Sequence, residues 1–255
     1  MPDSSVSIKV GNHTAAITLR NPDKNLITLP VAQTMDDICR RINADKEIYV
    51  VTITGSGNTF CAGHEDTGTK LSAADLEMAL KFKIAAAVAA IEKPVIAVIN
   101  GDALGEGLEI ALACDVRIAV PEAHFGLPEV AAGLIPSDGG TQRLPRIVGR
   151  GKALEMILTG EIIDADEALE YGLITKIVPA DALSTEIETL TRSIAAKAPV
   201  ALRYIKEAIN KGLDMNMEQG LRLEADLYFL LHTTADRTEG IRAFQQKKPP
   251  EFKGQ

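Results

Sequence analysis

The sequence predicts an α/β fold built on a mainly parallel sheet, followed by a helical C-terminal module. Three features of the chain support this prediction. A strand, a glycine-rich turn and a helix recur along the first two thirds of the chain. Several of the strands are apolar along almost their whole length, as expected where both faces of a sheet are covered. From about Ala182 onward, one helical pattern follows another.

The first elements are strands around one helix. The segment SIKVGNHTAAITLRNP predicts two short strands joined by a Gly-Asn turn. The segment VAQTMDDICRRINAD predicts a helix, because apolar residues recur on one helical face: Val31, Met35, Ile38 and Ile42. The segment EIYVVTITG then predicts a third strand, buried on both faces.

The middle of the chain continues the alternation. The segment SAADLEMALKFKIAAAVAAIEK predicts a long helix with Ser72 as N-cap and Leu76 on its apolar face, stopped by Lys93-Pro94. The segment PVIAVING predicts a buried strand. The segment GDALGEGLEIALACD begins with glycines and then predicts a helix, and VRIAVPEAHFG predicts another strand. The segment LPEVAAGLIPSDGGTQRLPRIVG predicts a loop and then a helix that starts near Gly139-Gly140.

The C-terminal quarter predicts a helical module. Its helical patterns break near Ala198-Pro199 and Leu213-Asp214, and the polar segment AFQQKKPPEFKGQ ends the chain. We therefore expect a core over residues 1–198 and a helical region over residues 199–255.

Composition excludes several classes of protein. The net charge is −8 and no long basic run occurs, so nucleic acid is not expected as a partner. No segment approaches the ~20 apolar residues of a membrane span, and the N-terminus resembles no signal peptide. The three cysteines lack metal-type spacing. These features predict a cytoplasmic protein with reduced thiols, without a metal and without a membrane association.

Glu109 is the first candidate for acid–base chemistry. It follows Gly101, Gly105 and Gly107, between a predicted strand and a predicted helix, where backbone amides can approach a ligand closely. The alternative is a helix-capping acid, which contributes about 0.3–1 kcal/mol through the helix dipole.

Glu129 is the second candidate. It follows a proline and has apolar neighbours, so burial should raise its pKa unless it has a partner. The alternative is an ordinary acid near a helix start. Two glutamates 20 residues apart, each beside a glycine-rich helix start, predict acid–base catalysis by a pair of carboxyl groups.

Four ordered motifs resemble those of the enoyl-CoA hydratase (crotonase) family: TGSGNTFCAGHEDTG, KPVIAVINGDALGEGLEIALACDVRIA, FGLPEVAAGLIPSDGGTQRLPRIVG and LTGEIIDADEALEYGLITKIV. The resemblance covers residues 17–252. It implies a spiral of ββα units with a C-terminal region that forms homotrimers or dimers of trimers. It also implies a hydro-lyase acting on an acyl-CoA thioester, with no cofactor beyond the coenzyme A of the substrate.

The resemblance also implies roles for individual residues. Glu109 would activate a water for attack at C3 of a 2,3-enoyl thioester, and Glu129 would protonate C2. The backbone N–H groups of His64 and Glu106 would form the oxyanion hole. The substrate would further contact Ala62, Gly63, Glu65, Asp66, Gly105, Gly107, Leu127 and Pro136. Coenzyme A would contact Lys24, Phe244 and Lys247. For Lys247, the alternative to this contact is that it belongs to a solvated tail.

Three positions depart from the family pattern. Glu106 replaces a glycine, His64 replaces the more usual alanine, and Leu127 replaces a glutamine. These departures predict an unusual acyl group, short or cyclic. The alternatives are another reaction of this superfamily, namely isomerisation, decarboxylation or C–C hydrolysis, and a non-catalytic scaffold that binds coenzyme A or RNA. Retention of both glutamates favours the hydratase, because isomerases of this family typically keep only the one matching Glu129.

Overall fold

The computed structural model describes residues 5–22, 24–64 and 83–255. Within these ranges the strands form a six-stranded sheet and a four-stranded sheet. The strands are β1 (Val6–Gly11), β2 (Thr14–Leu19), β3 (Val50–Gly55), β4 (Thr59–Cys61), β5 (Val95–Ile99), β6 (Asp102–Leu104), β7 (Val116–Ala119), β8 (Phe125–Gly126), β9 (Ile162–Ile163) and β10 (Lys176–Ile177).

The six-stranded sheet has the order β1-β2-β3-β5-β7-β10. Only its β1–β2 pair is antiparallel, and the other four pairs are parallel. Every residue of β5 is buried, as predicted for a strand covered on both faces. The predicted α/β class and mainly parallel sheet are therefore confirmed.

The four-stranded sheet has the order β4-β6-β8-β9. Strands β4, β6 and β8 run parallel to one another, and β9 is antiparallel to β8. Because β4 follows β3 and β6 follows β5 after short turns, this small sheet continues the chain from the ends of the large one. It thereby places the segments that follow β4 and β6 side by side.

The helices pack against these sheets. Their bounds are α1 (Leu29–Ala44), α2 (Ile84–Ala89), α3 (Glu106–Ala113), α4 (Gly140–Val148), α5 (Arg150–Thr159), α6 (Ala165–Glu170), α7 (Ala180–Ala195), α8 (Pro199–Gly212), α9 (Met217–Leu231) and α10 (Ala235–Gln246). The Thr28 hydroxyl caps α1 by accepting from the N–H of Val31 at 3.4 Å. The four apolar residues that predicted α1 are all buried, which confirms that prediction.

Two predictions for the middle of the chain need correction. The segment VRIAVPEAHFG is not one strand, because β7 lies in the large sheet and β8 in the small one. Pro121 stands between them and has no N–H to continue a ladder. The second correction concerns GDALGEGLEIALACD, in which Asp102–Leu104 form strand β6, whereas the glycines around them predicted only a turn before the helix.

The predicted long helix lies partly outside the described residues. Ser72 and Leu76 belong to that part of the chain. The described part is helical over Ile84–Ala89, so the helix ends before the predicted Lys93-Pro94 stop.

The C-terminal region is helical, with breaks at the two predicted places. The ammonium of Lys206 on α8 bonds the carboxylate of Asp115 at 2.8 Å and the carbonyl of Lys93 at 3.0 Å, which attaches this region to the core. The division at residue 198 and the trimer stay predictions. Among the described residues, no helix has the length and apolar character needed to cross a membrane.

Candidate active site

The segments after β4 and β6 lie in close contact. A Cβ built on Gly63 would lie 3.9 Å from Cα of Gly105 and 4.0 Å from the nitrogen of Glu106. Gly63 has φ 109° and Gly105 has φ 53°, a region that favours glycine. The predicted oxyanion positions, His64 and Glu106, each follow one of these glycines, so the structure brings the two positions together.

The loop before α1 supports the first of these segments. The N–H of Ile27 donates to the carbonyl of Gly63 at 2.8 Å, and the N–H of Ala62 donates to the carbonyl of Lys24 at 3.1 Å. Lys24 also lines a surface cavity of about 260 Å³. The predicted coenzyme A contact of Lys24 stays a prediction.

The start of α3 supplies the second segment. Glu106 is the first residue of α3, so its N–H has no acceptor within the helix and lies at the positive end of the helix dipole. A Cβ built on Gly107 would lie 2.1 Å from the carbonyl oxygen of Cys61. Gly107 therefore lets α3 pack directly on β4, and its predicted substrate contact stays a prediction.

Glu109 lies in the first turns of α3 and is only 2% exposed. Its Oε1 accepts two hydrogen bonds, from the N–H of Asp138 and from the N–H of Gly140, each at 2.7 Å. Burial raises the pKa of Glu109 to about 7, against the lowering effect of these two amides. The charges of Asp138 and Glu129 raise that pKa further, so Glu129 lies within electrostatic reach of Glu109.

Asp138 is a residue that the sequence analysis missed. Its carboxylate accepts from the N–H groups of Ala85 at 2.6 Å and Ala86 at 3.2 Å, in the first turn of α2. Asp138 thus holds the loop that presents two amides to Glu109, and burial raises its pKa. The helix that Asp138 caps is α2, more than 50 residues earlier in the chain, so no neighbouring residue in the sequence indicates this role.

Glu129 stands in a 3-10 turn over Pro128–Ala132, at the end of β8. Its Oε2 is buried and accepts no hydrogen bond in the described part of the chain. Its Oε1 would lie 3.2 Å from a Cβ built on Gly105, so Glu129 reaches over the start of α3. Burial raises the pKa of Glu129, the backbone N–H of Glu129 itself lowers it, and the charge of Glu106 raises it.

Two apolar residues pack behind the Glu109 carboxylate. A Cβ built on Gly140 would lie 2.8 Å from Cβ of Pro136 and 2.9 Å from Cδ1 of Leu127, both of which are buried. Only a glycine at position 140 therefore allows this close approach. The predicted substrate contacts of Leu127 and Pro136 stay predictions.

Four predicted site residues are left: Glu65, Asp66, Phe244 and Lys247. Glu65 and Asp66 lie outside the described residues. Phe244 is 85% exposed near the end of α10, and Lys247 follows that helix with φ 53°. The coenzyme A contacts of Phe244 and Lys247 stay predictions.

The mainly parallel six-stranded sheet and the small four-stranded sheet, with a cluster of carboxyl groups beside the paired segments after β4 and β6, define a protein of the crotonase fold. The sequence profile described as enoyl-CoA hydratase/isomerase matches residues 9–255, and the chain belongs to that family. The crystal structure of an enoyl-CoA hydratase from Bacillus anthracis matches with a TM-score of 0.94 at 38% identity, over 98% of this chain and 100% of the other.

Two relatives carry more specific names. A crotonyl-CoA hydratase from Syntrophomonas wolfei is 40% identical over 85% of both chains. An (E)-benzylidenesuccinyl-CoA hydratase from Thauera aromatica is 38% identical over 98% of this chain and 99% of its own length.

Proposed function

We propose that this protein is an enoyl-CoA hydratase, which adds water reversibly and with syn geometry to a 2,3-enoyl-CoA thioester. Glu109 and Glu129 act on one water, and the N–H groups of His64 and Glu106 bind the thioester oxygen. The acyl group is short or cyclic.

One observation carries the proposal: two glutamates with unequal hydrogen bonding, Glu109 buried and Glu129 half-buried, lie within electrostatic reach of each other. Oε1 of Glu109 is held by two amides. No described residue donates a hydrogen bond to Oε2 of Glu129, although that atom is buried. A buried acceptor without a partner costs about 1–3 kcal/mol, which a bound water or a substrate would relieve.

The two raised pKa values suit the chemistry in both directions. In the forward reaction, the carboxylate of Glu109 accepts a proton from the water, whose oxygen bonds to C3. The electron pair of the double bond moves through C2 to the thioester oxygen, where two N–H dipoles stabilise the enolate. The carboxylic acid of Glu129 then gives its proton to C2. The conjugation of the thioester itself accepts the electrons, so no redox group is needed.

The Glu129 environment favours this division of roles. Burial and the nearby charge of Glu106 both favour its protonated form. At Glu109, burial raises the pKa to about 7, and the two amides oppose it by favouring the ionised form, a contribution that Glu129 receives only from its own backbone N–H. The two carboxyls titrate as a coupled pair, so the roles describe the reacting state rather than two separate pKa values.

The relatives named above support the same reaction. By their names, one hydrates crotonyl-CoA and another (E)-benzylidenesuccinyl-CoA. Because both are hydratases of the same family, water addition is the reaction we assign to this chain.

The experiment is an incubation of the purified protein with a panel of enoyl-CoA thioesters, including crotonyl-CoA and a cyclic enoyl-CoA, followed by mass spectrometry. We expect products heavier by one water. Loss of CO₂ would indicate a decarboxylase, and an unchanged mass with a moved double bond would indicate an isomerase. Binding of the thioesters without turnover across the panel would indicate a scaffold. Each of these three results would overturn the proposal.

A further inference from the structure

A third carboxylate, that of Glu106, belongs to the cluster without a part in the reaction proposed above. Its side chain is 17% exposed, whereas that of His64 is 60% exposed. The Nδ1–H of His64 donates to Oε2 of Glu106 at 3.2 Å, because a carboxylate can only accept. His64 therefore holds the carboxylate of Glu106, the residue whose backbone N–H would bind the thioester oxygen.

The charges around Glu106 are mainly negative. Its carboxylate adds to the rise that burial causes in the pKa of Glu129 and of Asp138, so it lies within electrostatic reach of both. Glu109 and Glu129 add their own carboxyls to the same cluster, and the imidazole of His64 is a hydrogen-bond partner of Glu106. An anionic acyl group would meet net negative charge here.

The two oxygens of the Glu106 carboxylate differ in their hydrogen bonding to the described residues. No described residue donates a hydrogen bond to its Oε1, while Oε2 is engaged by His64. A fixed carboxylate oxygen of this kind accepts hydrogen bonds strongly, because bonds to charged groups are worth about 1.5–3 kcal/mol. The side chain of Leu127, which lies beside Gly140, is apolar and buried.

We propose, on the basis of the hydratase function above, that the side chain of Glu106, anchored by His64, determines substrate specificity. It accepts a hydrogen bond from a hydroxyl group on the acyl chain of a neutral enoyl-CoA. It also disfavours acyl chains that carry a carboxylate. The substrate class is therefore a hydroxylated, uncharged 2,3-enoyl thioester.

The test compares three substrates of similar size: 4-hydroxycrotonyl-CoA, pent-2-enoyl-CoA, in which a methyl replaces the hydroxyl, and the mono-CoA thioester of fumarate. We expect kcat/KM of the wild type to be highest for the hydroxylated substrate, by about ten- to hundredfold over pent-2-enoyl-CoA. We expect the fumarate thioester to be the poorest of the three.

The variant Glu106→Met keeps the length of the side chain but has no acceptor, so it should lose the preference for the hydroxyl. The variant Glu106→Gln keeps a neutral acceptor and should retain part of that preference. Glu122→Met removes an exposed glutamate outside the cluster and should leave the ratio of the three kcat/KM values as in the wild type.

The outcomes separate this inference from the function on which it rests. Hydration of pent-2-enoyl-CoA at least as fast as the hydroxylated substrate would overturn the inference and leave the hydratase function standing. The same holds if the fumarate thioester is preferred, or if Glu106→Met slows all three substrates by one common factor. Hydration of none of the substrates would overturn the hydratase function itself.

Discussion

Oε1 of Glu109 lies 2.7 Å from the backbone nitrogen of Gly140, and a Cβ at position 140 would lie 3.1 Å from that same oxygen. The glycine therefore both donates to the carboxylate and leaves room for it. Through this contact, the loop before α4 sets the position of a side chain on α3.

The first prediction concerns that glycine. Gly140→Ala should lower kcat about 10–100-fold, because the new methyl meets Leu127, Pro136 and Glu109 and displaces the carboxylate. Steady-state kinetics with crotonyl-CoA measures the effect. Gly151→Ala on α5 is the matched control, because a Cβ there meets nothing within 4 Å. Equal kcat values for the two variants would show that the close approach at position 140 is unimportant.

The second prediction concerns Asp138. Asp138→Ala removes the acceptor of two N–H groups at the start of α2 and should destabilise the fold by about 0.5–2 kcal/mol. It should also lower kcat, because the loop that holds Glu109 is released. Thermal unfolding and kinetics measure the two effects.

Asp164 provides the control for that prediction. Its carboxylate caps α6 by accepting from the N–H of Glu167 at 2.9 Å, outside the cluster of Glu106, Glu109 and Glu129. Asp164→Ala should therefore lower stability by a similar amount and leave kcat unchanged. If the Asp138 variant also keeps its kcat once folded, Asp138 is only a helix cap.

The third prediction concerns stability against pH. The pKa of Glu109 rises from 4.5 to about 7 on folding, so the folded state binds its proton more tightly. That stabilisation is fully present below pH 4.5 and is lost as the pH rises through 7. Glu109→Gln removes this loss, so its stability relative to the wild type should increase between pH 4.5 and pH 7, by up to about 3 kcal/mol. Denaturant unfolding of the wild type and the variant at both pH values measures this effect. The same difference in unfolding free energy between the two proteins at both pH values would contradict the prediction.

The fourth prediction concerns activity against pH. The proposed reaction needs Glu109 ionised and Glu129 protonated, so kcat should fall both below and above an optimum. Because the pKa of Glu109 is about 7, one of the two limbs should lie near neutrality rather than near 4.5. A pH–rate profile that stays flat from pH 5 to pH 9, a range of about four units, would exclude this acid–base assignment.

Local patterns predicted much of the fold and both glutamates. The period of Val31, Met35, Ile38 and Ile42 predicted α1, and the apolar run of β5 predicted a strand covered on both faces. Glu109 and Glu129 could be recognised because each lies near glycines that start a turn or a helix. These signals depend on neighbours in the sequence.

The rest depends on contacts between distant segments. Asp138 caps a helix that begins at Ile84, and Gly107 packs on Cys61. The small sheet is made of strands of two or three residues, too short to show a period. No local pattern predicts such pairings, since they form only when the large sheet brings the chain segments together.

The most direct measurement is kcat for crotonyl-CoA in Glu109→Gln, in Glu129→Gln and in the double variant. If both groups act on one water, each single variant should lose about 10²–10⁴-fold, and the double variant should lose little more than the worse single one. Circular dichroism confirms that the variants are folded. Normal turnover in either single variant, or losses that multiply in the double variant, would contradict the shared water.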